Sequence, residues 1–220
     1  MNLRPGSLSL AASGAALAAS LVAYPFLPRR VAIHFRADGR ADREGARALA
    51  ALALPATMSG MALLNASVGS WPGGDDRDDA DSGARARARA VDIAALGLFV
   101  NHLALLAHGL SLPVDMERLP RAVFGAMLIG LGNVLPKLPR NALVGIRTPW
   151  TLTDPSIWER THHLGGYLCV AAGLLTLVLT PAHGQLARRL PIVLTLTSAA
   201  VAAAYSWLLS RRQNQLLGAD

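Results

Sequence analysis

Six long apolar runs leave this chain few ways to fold. They cover residues 8–27, 48–68, 91–112, 122–135, 164–180 and 192–209. A helix needs roughly 17–25 mostly apolar residues to cross a hydrocarbon core, and five of the runs are that long. The fourth is shorter, and its length also suits a re-entrant or interfacial segment. In lipid every backbone amide must find its partner inside the segment, so runs of this kind fold as helices. The expected fold is therefore all-α: a polytopic bundle of about six transmembrane helices, multi-pass in the cell membrane. Composition agrees. Only 16% of residues are charged, against about 25% in soluble domains.

The first run follows Arg4 and ends in Tyr24-Pro-Phe-Leu-Pro28, not at a small-residue cleavage site. It reads as a retained anchor. The net charge of +7 would suggest nucleic acid in a soluble protein. Here the Arg and Lys residues sit mostly between the apolar runs, so membrane lipids are the partner they fit and no direct nucleic-acid contact is expected. The lone Cys169 lies within the fifth run and reads as a packing residue.

Between the runs the chain divides into three parts. Residues 1–71 form a helical hairpin with a loop between its arms, residues 72–90 a flexible acidic-then-basic linker, and residues 91–220 a four-helix membrane region. The linker's aspartates lack the spacing of a calcium loop. No Asp or Glu falls in the cores of the runs, which speaks against proton-coupled transport. The polar residues at membrane depth are Asn65, Asn101, His102, His108 and Asn133. Asn101 and His108 share a helical face. They form either a polar seam or hydrogen bonds that hold helices together, each worth roughly 0.6–2 kcal/mol. Small residues crowd the first and last runs, as close helix approach in lipid requires. Trp71, Trp150, Trp158 and Trp207 stand near run ends, where interfacial anchors belong.

With six spans both termini share a side. Eleven Lys and Arg residues then fall on that side and ten on the other, too even for the positive-inside rule. Arg85–Arg89 and Arg211–Arg212 crowd the ends of their runs and favour cytoplasmic termini.

The stretch from residue 132 to 163 differs from an ordinary connecting loop. Pro136 and Pro139 end the fourth run. Gly145 permits a backbone angle or close approach that a side chain blocks. Asp154-Pro155 is a helix start, with a capping side chain and proline at the first position. On the helix that follows, Trp158, His162 and Gly165 share one face. Arg147, in the apolar context Val144-Gly-Ile-Arg, offers a planar fork for a carboxylate or phosphate. Asp154 and Glu159 are its internal alternatives. Adjacent His162 and His163 do not have zinc-ligand spacing, and no nucleophile or hydrolase motif appears. Neither an enzyme nor a metal or other cofactor is expected.

These residues also carry a resemblance. Gly132-Asn133, Lys137, Asn141, Gly145-Ile-Arg147-Thr148-Pro149-Trp150-Thr-Leu152, Trp158 and Thr161-His162 resemble the signature of the SdpI family, membrane immunity proteins against a sporulation-delaying toxin. The first loop is similar to the small domain of unknown function that commonly precedes that signature. It keeps Leu27, Pro28, Ile33 (one position off), His34, Phe35, Gly39 and Asp42, with Ala41 where proline is usual and Arg47 where lysine is usual. The resemblance implies a receptor-like membrane protein that gives resistance to a membrane-active toxic peptide. It also implies a cytoplasmic repressor as a second partner, sequestered at the membrane. It marks Asn133, Lys137, Asn141, Gly145, Arg147, Thr148, Pro149, Trp150, Trp158, Thr161 and His162 as the functional loop, with Pro28, His34, Gly39 and Asp42 as a secondary motif. A permease for a small amphiphile or peptide and a membrane-embedded enzyme using His34 or His162 are the readings from other classes.

Overall fold

The computed structural model describes residues 6–68, 77–141 and 144–217. Helix α1 (Ser7–Ala23) leads through a 3-10 turn into a hairpin of strands β1 (Arg30–Phe35) and β2 (Ala41–Ala46). Helices α2 (Arg47–Val68), α3 (Arg77–Gly109) and α4 (Arg118–Val134) follow, then a short α5 (Pro149–Thr153), α6 (Pro155–Val178) and α7 (Gln185–Leu217). Six helices are long and apolar enough to span a membrane. The chain is a multi-pass membrane protein.

Two of the expected elements are corrected. The fourth span is not a short re-entrant piece: it covers Arg118–Lys137, 20 residues, because its polar first turn is helical too. It stops where Pro136 and Pro139 require, in a 3-10 turn over Leu135–Lys137. The basic half of the expected linker is helical and belongs to α3. Alanine and arginine are both good helix formers, and Ala86 and Ala90 pack against Val134, Leu138 and Trp158. Trp71 and the head of the acidic stretch lie outside the described residues. Asp92, at the edge of the third run, is buried at the level where α1 begins. It is 6% exposed and accepts from Gly6 N at 3.0 Å and Ser9 N at 2.8 Å. These are amides a helix start leaves without partners, so Asp92 caps α1 from another helix.

The helices form two groups. α1, α2 and α3 pack on one another, α6 packs on both α4 and α7, and α3 against α4 joins the groups. In the first group, Pro55 lies inside α2 and has no N–H for the carbonyl of Ala51. Ser20 Oγ of α1 lies 2.6 Å from that carbonyl and donates to it. The same oxygen accepts from His102 Nε2 of α3 at 2.7 Å. One hydroxyl thus repairs a proline defect and ties three helices. His102, fully buried, is a second interhelical polar contact of this group beside Asp92. The amide of Asn101 donates within its own helix to Gly97 O, and His108 lies edge-on to Phe35.

In the second group, α4 and α6 run antiparallel with their backbones close. A Cβ on Gly132 would lie 2.7 Å from the carbonyl of Gly166, and one on Gly166 equally near that of Gly132. Gly125 and Gly173 repeat the arrangement one heptad away, with a Cβ on Gly173 2.6 Å from Gly125 O. Close approach through small residues is how helices gain packing in lipid, where no hydrophobic force draws them together.

The hairpin is anchored by Leu27 and Val31, which join Ala23, Ala50, Ala51 and Leu106 in one buried cluster. Its turn holds Gly39 at φ 77°, and a Cβ there would strike Glu117 N at 2.7 Å. The hairpin therefore sits on the start of α4. His34 Nδ1 pairs with Asp42 across the strands, and this hydrogen bond holds the Asp42 carboxyl below its usual range. Pro28 separates the 3-10 turn from β1.

Candidate functional site

Residues 138–141 and 144–165 fold into a cap over the ends of α3, α4 and α7. Asn141 closes its first turn: the side-chain amide donates to Pro139 O and Val144 O, and its oxygen accepts from Val144 N at 2.8 Å. Gly145 follows at φ 123°, a conformation that L side chains avoid. A Cβ there would also lie 2.4 Å from His162 Nε2. The next amide, Ile146 N, donates to that same nitrogen at 3.0 Å.

His162 uses both ring nitrogens, since Nδ1 donates to Trp158 O at 2.8 Å. Only the neutral Nδ1–H tautomer makes both bonds, so no lone pair remains for a metal. The ring stacks on Trp158 at 3.9 Å. Trp158 is 3% exposed, and its indole N–H donates to Leu138 O at 2.8 Å. It is the core of the cap and not an interfacial anchor. Trp207 does suit that role, 40% exposed with Arg211 over its ring.

Thr148 and Thr151 form a capping box at α5, each hydroxyl taking the other's backbone amide. Thr151 also donates to Ile146 O. Thr148 reaches Ser206 of α7 at 3.0 Å, which joins the cap to the last helix. Pro149 starts α5, and Trp150 is half-buried on it. Thr161 is fully buried, and its hydroxyl has no hydrogen bond. Asp154 caps α6 through Ser156 N and Ile157 N and accepts from Gln213 of α7. The Ser156 hydroxyl, then Gln213, pull its carboxyl down to about 2.

The predicted site residues thus divide in two. Asn141, Gly145, Thr148, Pro149, Trp158 and His162 build the cap. Lys137 and Arg147 are exposed on it, and Trp150 lies between the two classes. Asn133 stands apart, exposed on α4 and bonded to Ile129 O in its own helix. Two contributors escaped sequence reasoning. Arg140 donates to Leu152 O and Thr153 O, and Ser206 supplies the link to α7. Neither sits in a pattern that a single sequence makes visible.

The secondary motif lies on the other side of the membrane. Gly39 rests on Glu117, which accepts from Arg121 at 3.1 Å and from Arg188 at 2.9 and 3.3 Å. The Arg188 hydrogen bond, then Arg121, hold the Glu117 carboxyl below its usual range. His34 and His162 face opposite sides. Among the described residues no three His, Cys, Asp or Glu groups gather to hold a metal.

A family model described as the SdpI/YfhL protein family matches residues 137–210, which include most of the cap, α6 and most of α7. A second model, a domain of unknown function (DUF1648), matches residues 12–58, from α1 through the hairpin into α2. Among curated proteins the chain is similar to "Immunity protein SdpI" of Bacillus subtilis (strain 168), 27% identical over 117 residues. That match covers 53% of this chain and 56% of the relative, so the chain spans about half the length of the protein it matches. No solved structure matches.

Proposed function

We propose that this chain, whose residues 137–210 match the SdpI/YfhL protein family model, is a membrane immunity protein protecting its cell from a membrane-active toxic peptide. The observation that carries the reading is the construction of the cap. The motif side chains at 141, 148, 151, 158 and 162 are consumed in holding the cap's own backbone. What remains for a partner is its outer surface. That surface presents Lys137, Arg147 and Arg160, all exposed, and it suits a macromolecular partner better than a small substrate. We infer further that this surface recruits an acidic segment of a cytoplasmic repressor once toxin is bound, since guanidinium forks recognise carboxylates bidentately.

The test is survival. A toxin-sensitive host that expresses this chain and is challenged with its cognate peptide should outgrow the empty-vector strain. A Trp158→Ala variant that dismantles the cap should lose protection at equal membrane abundance. Full sensitivity in cells that carry abundant wild-type protein would sink the immunity reading. A fluorescent repressor that stays cytosolic under toxin would sink the recruitment step alone.

A further inference from the structure

Opposite the cap, a cavity of about 400 Å³ opens beneath the β-hairpin at the seam between the two helix groups. We propose that it is a binding site for one anionic phospholipid, with an acyl chain in the cavity and the phosphate at its basic mouth. Four spanning helices supply the walls, through Leu54, Leu105, Phe124 and Pro191. These residues lie four to seven positions in from the helix ends, roughly 6–11 Å along the axis. The cavity thus reaches into the hydrocarbon region.

The mouth is basic. Arg36, Arg121 and Arg188 line it, and Arg189 lines the adjoining hollow with Asp38. Four guanidiniums face two carboxylates there, Glu117 and Asp38, and Glu117 is already held by Arg121 and Arg188. The remaining positive charge, led by exposed Arg36, asks for an anion at headgroup level.

The cavity wall decides what kind of molecule carries that anion. Its deep polar group is Asn101, whose amide is turned back on Gly97 O. A peptide seated there would leave its own amides without partners in an apolar site, at several kcal/mol each. An acyl chain has no such groups to satisfy.

The experiment weighs the full chain by native mass spectrometry after release from nanodiscs holding equal phosphatidylglycerol and phosphatidylcholine. One phosphatidylglycerol should be retained in preference. Arg36→Gln, an exposed change that leaves the fold intact, should reduce that preference about fivefold, as expected for one cation near a headgroup. Arg36→Gln with Arg188→Gln should abolish it, whereas Arg211→Gln with Arg212→Gln on the opposite side should not. Leu54→Phe, which narrows the cavity, should lower retention of both lipids. Equal retention of the two lipids by wild type would overturn the proposal, as would a preference untouched by Arg36→Gln. Displacement by inorganic phosphate would make the mouth a plain anion site. Displacement by a short apolar peptide with a free carboxyl terminus, blocked in Leu54→Phe, would make the cavity a peptide site. Either result removes the lipid assignment.

Discussion

Arg147 stands exposed on the surface of the cap. Asp154, seven residues on, accepts from Ser156, Ile157 and Gln213. That carboxyl is lowered to about 2, so its contribution to folding is present above the ordinary carboxylate range and is lost only as pH falls towards 2. The cap's tie to α7 therefore persists at any cellular pH. If Arg147 reads a carboxylate or phosphate on a partner, lysine keeps the charge but loses the fork. Arg147→Lys should then fail in toxin challenge nearly as badly as Arg147→Ala, at matched abundance. A lysine variant that protects like wild type would reduce Arg147 to a headgroup contact.

Two helix-level arrangements carry predictions of their own. The hydroxyl of Ser20 stands in for the amide that Pro55 lacks, so Ser20→Ala strands the Ala51 carbonyl and His102 Nε2 together. Leaving a buried group unpaired costs about 1–3 kcal/mol. In a Pro55→Ala background the α2 amide returns to Ala51 O, and the cost of Ser20→Ala should fall to roughly half. Thermal melting of the four proteins of this cycle in detergent measures the coupling, and strict additivity would refute the repair. Between α4 and α6, Gly132→Ala inserts a methyl 2.7 Å from a backbone carbonyl. Overpacking of this kind costs about 1–3 kcal/mol. Gly60→Ala, with nothing within 4 Å, should melt like wild type. Equal melting of the two variants would show that the glycine contact does not hold the group together.

For the molecule as a whole, six spans put the cap, the start of α1 and the end of α7 on one side and the hairpin on the other. Near-equal counts of basic residues leave orientation to the arginines that crowd α3 and α7. We expect the cap to face the cytoplasm, where a repressor can reach it. Reporter fusions at Asp220 and within residues 72–76 should both read cytoplasmic, and a fusion in the hairpin turn at Asp38 should not. The reverse pattern would turn the cap outward and transfer the peptide-facing role to it.

Hydropathy alone determined that the chain is a helical membrane bundle, because a lipid-facing segment that satisfies its own amides has essentially one geometry. Local rules placed the α4 stop at Pro136, the α6 start at Asp154-Pro155 and the strained glycine at 145, since each depends on a residue's own backbone preferences. Tertiary structure decided what those rules do not reach. Ala86 and Ala90 belong to a helix because the cap covers them. Asp92 is buried because α1 presents two bare amides to it. Trp158 leaves the interface because Leu138 O offers its indole a partner. The glycine pairs of α4 and α6 acquire meaning only when the helices run antiparallel in that register, and the basic cavity exists only because the hairpin closes over two groups of helices. These are long-range pairings, in which each partner's environment is supplied by residues far away in the chain.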